Sequence, residues 1–342
     1  MTVNGQVAGP CLPSDGCPVS CLPGVMGLIL SLDTLRDEQV HEIVGYLGLP
    51  GSWTHQVTLE LFGESAHLQG YDAPALLAGY ASGEIAWICV PYYSSIAGPT
   101  PYLAQLLALH GLWIERDVVR PVQHSLAVRE SAQTLSSISH VTGHPVALEE
   151  VRSWLEKELP GVGWSLARSG SDAASMLARS GETSHAAVAP PQAVAAHGLH
   201  SLVADIPTVA PNVTRWWLLG PKVPQTPSPG RLVWLKVSGP TQQALCSLEN
   251  ALPDKAVEPA LWLYAPSDDA VARHWLVACL RSEDLYAFLA LVSVNGLSGT
   301  LLGVQDEPVS ELVSSDPYSV SACFRVDPEQ VDQSDAERSA LP

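Results

Sequence analysis

Thr214 and Arg215 put a hydroxyl and a permanent cation side by side in ADIPTVAPNVTRWWLLG, residues 204–220. The turn formers of 207–212 run into a short apolar strand predicted over 216–219. A hydroxyl donor and a guanidinium beside an apolar wall suit a small anion that must shed an oxygen. Successive strand residues point to opposite faces, so the pair serves one pocket only if the chain twists between them. The bland alternative is a loop-to-strand junction with a surface Arg. Asn212 shapes the loop ahead of Thr214 and is within reach of the same ligand. Trp216 and Trp217 read as core and cleft wall.

Other hydroxyls stand where they would complete an anion site. In GYLGLPGSWTHQVTLELFG, residues 45–63, glycines and a proline make a tight loop. Ser52 or Thr54 then caps a helix predicted over 56–62. A helix start behind such a loop offers backbone N–H groups to a carboxylate or phosphate. PYYSSIAGPTPYL, with Ser94 and Ser95, reads as a loop following a buried strand at 85–90. Open α/β sheets bind ligands at such carboxyl ends. Ser171 stands at the start of a helix predicted over 170–178. For Ser52, Ser95 and Ser171, plain capping and ligand contact both stay open. His144, followed by Pro145, reads as a loop determinant rather than a proton carrier.

These residues must be positioned by alternating elements. Apolar spacing predicts helices over 35–47, 74–83, 103–111, 146–159 and 192–196. In the 146–159 helix, Glu149 and Glu150 fall in the first turn, where the dipole favours them. Strands are expected at 113–120, 121–128, 186–189 and 199–204. The alternation makes the class α/β. A proline-rich linker, 223–230, leads to a smaller module, 231–326. There strands at 232–237, 261–264, 275–280 and 300–304 alternate with helices at 241–251 and 285–294, a ferredoxin-like α+β layout. Residues 1–22 read as a disordered leader and 327–342 as an acidic disordered tail.

Composition narrows the function classes. With 342 residues the chain has room for two or three domains, and its 46% apolar and 15% charged content is that of a globular protein. A formal net charge of −18 would repel nucleic-acid phosphates. No basic run addresses an anionic membrane, and the apolar stretch at 25–32 is too short to span one. With no signal peptide in sight, the cytoplasm is the expected location. Seven cysteines, an odd number, fit reduced thiols, and Cys11, Cys17 and Cys21 match no zinc spacing. Neither metal nor cofactor is expected.

Five stretches, in order, resemble the prephenate dehydratases. LGLPGSWTHQ (47–56) is similar to that family's Gly-Pro-x-Gly-Thr-aromatic loop, with Ser52 in place of the threonine. VPYYSSIAG (90–98) resembles V-P-x-E-N-S-x-x-G, VTGHPVAL (141–148) resembles S-H-P-Q-A-L, SDAASML (171–177) a Ser-Thr-Ala-Ala segment, and NVTRWWLLG (212–220) an N-x-T-R-F strand. The resemblance implies a catalytic domain over 23–222 with two lobes around a cleft, like a type 2 periplasmic binding protein. It implies an ACT-like regulatory or dimerising domain behind it, and a homodimer or dimer of dimers.

The departures are specific. Tyr93 and Ser94 occupy the Glu-Asn positions, Gly143 replaces a serine before His144, and Asp172 replaces a threonine. LWLYAPS (261–267) keeps only Pro266 of the Glu-Ser-Arg-Pro segment that holds phenylalanine in the family, so inhibition by phenylalanine is not expected.

The implied substrate is prephenate, or a close relative such as arogenate. Loss of carbon dioxide and hydroxide aromatises the ring, which drives the reaction without a cofactor. Thr214 is then the donor to the departing hydroxyl in a dry site. Arg215 either pairs with a substrate carboxylate or makes a structural ion pair, and Asn212, Ser52, Ser94, Ser95 and Ser171 surround the substrate. Two alternatives remain: a prephenate decarboxylase that retains the ring hydroxyl, and a non-catalytic homologue that only binds.

Overall fold

The computed structural model describes residues 42–221, 227–239, 245, 248, 257–265 and 273–306. The predicted leader and tail, Cys11, Cys17 and Cys21, Pro266, the first half of the linker and all but Leu245 and Leu248 of the 241–251 helix lie outside the described residues.

The first lobe is a mixed sheet in the order β2-β1-β3-β11-β5, with the two-residue β4 (Gly98–Pro99) beside β3. β1 (Val44–Leu47) runs parallel to β2 (Leu68–Tyr71) and to β3 (Trp87–Ser94). β11 (Val213–Leu219) is antiparallel to both β3 and β5 (Ile114–Pro121). Val44–Leu47 corrects the predicted helix over 35–47, whose first part lies outside the described residues. Four apolar residues fit a buried strand or a helical turn equally well by period, and pairing on both edges decides for the strand.

α1 (Trp53–Phe62) covers one face of this sheet. It begins earlier than predicted, because Ser52 Oγ accepts the His55 amide at 3.2 Å and caps it. The loop before it needs Gly48 and Gly51 at φ of 103° and 83°, a region other residues avoid. α2 (Ala73–Ser82) is capped by Asp72 and ends at Gly83, and α3 (Leu103–Ala108) follows β4. β3 continues through Pro91, correcting the loop expected there. The ladder slips between Arg215 and Trp216, opposite Tyr93 and Pro91, so Tyr92 is the extra residue of a bulge. Bulges are where strands tolerate proline.

The second lobe is a sheet in the order β10-β6-β9-β7-β8. Its strands are β6 (Ser125–Val128), β7 (His140–Gly143), β8 (Gly163–Leu166), β9 (His185–Ala189) and β10 (His200–Val203). The single helix predicted over 146–159 is two, α4 (Pro145–Glu150) and α5 (Arg152–Glu158), broken at Val151. α6 (Gly170–Ser180) and α7 (Pro191–Ala196) complete the lobe. The chain crosses between lobes twice, once after β5 and once before β11. The crossings are bonded to their surroundings and to each other: Val122 N–H donates to Asn212 O at 3.0 Å, and Ile206 N–H to His124 O at 2.8 Å.

β12 (Arg231–Gly239), β13 (Val257–Ala265), β14 (Arg273–Arg281) and β15 (Ser298–Asp306) form a third, antiparallel sheet in the order β13-β14-β12-β15, with α8 (Leu285–Val294) between β14 and β15. That strand order is ferredoxin-like. The sheet packs on the first lobe through a continuous core in which Trp217 stacks on Tyr92 at 4.1 Å and meets Trp234 edge-on at 5.3 Å.

Candidate active site

β11 lies between β3 and β5 in the first lobe, at the end of the return crossing, and Thr214 is its second residue. In the ladder Thr214 is directly opposite Ser94 on one side and Arg120 on the other. Direct partners share a face, with side chains about 5 Å apart. Thr214 is half-buried, and its hydroxyl has no hydrogen-bond partner among the described residues.

Its neighbours are all engaged. Ser94 Oγ donates to Glu150 Oε1 at 2.6 Å and accepts the Ile96 and Ala97 amides at 3.3 Å each. Ser95 Oγ donates to Pro211 O at 2.9 Å and accepts the Val213 amide at 2.9 Å, which pins the backbone that leads into Thr214. Asn212 Nδ2 donates to Glu150 Oε2 at 2.9 Å, while its Oδ1 is buried without a partner.

Arg215 points the other way, as alternation requires. Its guanidinium pairs with Asp117 Oδ2, and Tyr92 donates its hydroxyl to Asp117 Oδ1 at 3.1 Å. Burial lowers the Arg215 pKa, but Asp117 overrides it and holds the group above the usual arginine range. Asp117 N–H donates to Gln305 Oε1 at 2.8 Å, so this ion pair sits where the first lobe meets the C-terminal sheet. Of the two roles open for Arg215, the internal pair is the one the geometry displays.

The loop ahead of Ser52 meets Ser171 across the lobes. Ser171 Oγ donates to Pro50 O in the loop that precedes α1. A Cβ on Gly51 would lie 3.3 Å from Ser171 Oγ, and one on Gly48 would lie 3.4 Å from Ser52 Oγ. The starts of α1 and α6 therefore converge. They differ in charge: α6 has Asp172 in its first turn, bound to Arg168, whereas α1 has no acidic residue there. The positive dipole end of α1 is therefore not offset by a carboxylate of its own first turn. Ser52 accepts from His55 and retains its own proton to donate.

The residue that sequence reasoning missed is Glu150, only 4% exposed. Besides Ser94 and Asn212 it meets His124 Nε2, 2.6 Å from Oε2. Burial raises its pKa, but the bonds from His124, Ser94 and Asn212 outweigh that and hold it low. An ionised carboxylate only accepts, so His124 Nε2 carries the proton. No apolar stripe marked it in the sequence: Glu150 stands one residue before Val151 and two after Leu148, off the face that Ala147, Leu148 and Val151 share. His144 is close by, and burial pushes its pKa down to about 4.

Among the described residues no group of three or more His, Cys, Asp or Glu is placed to hold a metal, and no helix is long and apolar enough to cross a membrane.

Comparison with known proteins matches residues 44–224 to the prephenate dehydratase family model. A prephenate dehydratase of Amycolatopsis methanolica is 30% identical over 178 residues, 52% of this chain and 57% of that protein. The chain spans between 49% and 60% of the length of the first curated relatives it matches. The prephenate dehydratase of Arthrobacter aurescens, solved with L-Phe, superposes with a TM-score of 0.63 at 21% identity, over 87% of this chain and 97% of that one. GqqA, described as a novel type of quorum-quenching acylase, gives 0.61 at 21% identity, over 78% and 99%. At that identity the structures speak to the fold, a two-lobed α/β arrangement like that of a periplasmic binding protein, and one fold hosts different chemistries.

Proposed function

The chain belongs to the prephenate dehydratase family, and on that footing we propose that it is a cofactor-free lyase acting on prephenate or a near relative such as arogenate. The electron pair of the breaking C–CO2 bond enters the ring, and the C–O pair leaves with the ring hydroxyl. That oxygen takes one proton, drawn in the end from solvent, and departs as water. Prephenate gives phenylpyruvate, carbon dioxide and water. The step belongs to phenylalanine-type aromatic biosynthesis.

In this reading Thr214 donates to the departing oxygen. A threonine hydroxyl is too weak an acid to lead, so it donates in step with C–O cleavage where water is excluded. The observation that carries the reading is the freedom of this hydroxyl beside neighbours whose own are bound. Ser52 and the α1 start hold a substrate carboxylate. Ser171, Ser94, Ser95 and Asn212 shape the cleft around the ring, and Arg215 stiffens β11 from behind.

Residues 23–222 make up the catalytic domain in this proposal and 231–326 an ACT-like dimerising domain, in a cytoplasmic homodimer or dimer of dimers. The ferredoxin-like strand order supports that assignment. The test is to incubate purified protein with prephenate and identify the products. Phenylpyruvate supports the proposal. A non-aromatic hydroxylated keto acid would establish a decarboxylase, and saturable binding without turnover a binding protein.

A further inference from the structure

We propose that Glu150 bolts the hinge between the lobes and thereby positions Thr214. Its three partners stand at separate places in the chain. His124 lies on the crossing from β5 to β6, and Asn212 on the return crossing into β11. Ser94 ends β3, directly opposite Thr214. Glu150 itself ends α4 in the second lobe. One carboxylate therefore joins both crossings and the strand end facing Thr214, at 2.6, 2.9 and 2.6 Å for His124, Asn212 and Ser94 respectively.

In a two-lobed protein the crossings are where lobe rotation must be absorbed. Here they are tied to a group that cannot let go cheaply. A carboxylate this buried is tolerated only while its donors remain in place, and removing them leaves an uncompensated charge. Rotation of the second lobe away from the first would separate Glu150 from Ser94. Its three donors fill three of roughly four lone-pair sites, so the carboxylate also fixes their directions. Asn212 and Ser94 bracket Thr214, one along its strand and one across it. The bonds of Glu150 go to His124, Asn212 and Ser94 and not to Thr214, so it is a positioning residue. Ser94 and Asn212 carry its effect.

The test compares wild type with Glu150→Gln by amide hydrogen exchange of the full chain and by kinetics with prephenate. Glutamine keeps one acceptor oxygen but turns an amide NH2, itself a donor, toward donors. Exchange at residues 94–97 and 212–214, both outside Glu150's own helix, is expected to quicken by about tenfold or more. The kcat is expected to fall by about tenfold or more while KM stays within about threefold. Faster exchange confined to 145–158, or unchanged exchange, would overturn the proposal, as would equal changes in kcat and KM.

Should Glu150→Gln not fold, Ser94→Ala removes one donor from the other side. Faster exchange across the lobes at 145–150 supports the bolt, and none refutes it. The kinetic arm rests on the dehydratase reading. If wild type does not turn over prephenate, that reading fails while the exchange arm still decides the proposal.

Discussion

Ser94 and Thr214 face each other across the β3–β11 ladder, yet of the two only Thr214 has an uncommitted hydroxyl, because Ser94 donates its hydrogen bond to Glu150 Oε1 at 2.6 Å. The pair separates two duties that sequence alone would assign to either residue. In the proposed reading Ser94 holds the lobes in register and Thr214 is left for chemistry.

Replacing Thr214 by Ala is therefore expected to lower kcat for phenylpyruvate formation by about 10²- to 10⁴-fold, with KM changed only a few-fold. Thr214→Ser, which keeps the hydroxyl, should recover most of the rate. Steady-state kinetics check both. Comparable losses in kcat and in substrate affinity would make Thr214 a binding or folding residue.

Ser52 has a smaller, divided role. Ser52→Ala should cost about 1 kcal/mol of stability through the lost cap, whereas Ser52→Gly should cost only a few tenths, roughly. Both remove the donor proposed for a substrate carboxylate and should raise KM several-fold. Urea denaturation and kinetics read the two effects separately. An unchanged KM would leave Ser52 as a cap and nothing more.

The Arg215–Asp117 pair predicts a large and purely structural cost. Asp117→Ala strips the counter-charge from a buried guanidinium and should destabilise the fold by about 3–5 kcal/mol. Tyr92→Phe removes a single neutral donor to the same carboxylate and should cost about 1–2 kcal/mol. Chemical denaturation with an unchanged m-value is the measurement. A loss below about 1 kcal/mol for Asp117→Ala would mean the site relaxes or admits water.

His144 makes the fold acid-sensitive in a defined window. Burial holds its folded pKa at about 4, below the 6.5 of the free imidazole. Between those values the unfolded chain binds a proton that the folded chain refuses. Stability is thus full above pH 6.5 and falls as the pH drops toward 4. Each pK unit is about 1.4 kcal/mol, so the loss is roughly 3 kcal/mol. Glu150, whose folded pKa is depressed, adds its own loss only at lower pH, below the carboxylate's unfolded value of about 4.3. His144→Gln should flatten the upper part of the profile in urea titrations across pH 4–7.

Several elements were legible because local rules suffice to make them. Asp72 and Gly83 bound α2 as a cap and a left-handed stop, and the apolar run before Pro91 is a buried strand. The Leu285–Val294 helix and its flanking strands lie where their spacing placed them. By contrast β1, β2, β7 and β8 went unread. Each is four residues long, with a glycine in each, and a segment so short has no period to detect. The break at Val151 was also invisible, since the apolar residues keep one helical spacing on both sides of it.

The sequence by itself determined the class of the fold, the family motifs and the pairing of a hydroxyl with a cation on one strand, because these are written in neighbouring residues. Only the tertiary structure decided what each side chain does. Ser94 and Glu150 are 56 positions apart, and Arg215 and Asp117 are 98 apart. Hydrogen bonds and ion pairs act over about 3 Å, so they are set by how strands cross between the lobes. No pattern along the chain records that distance.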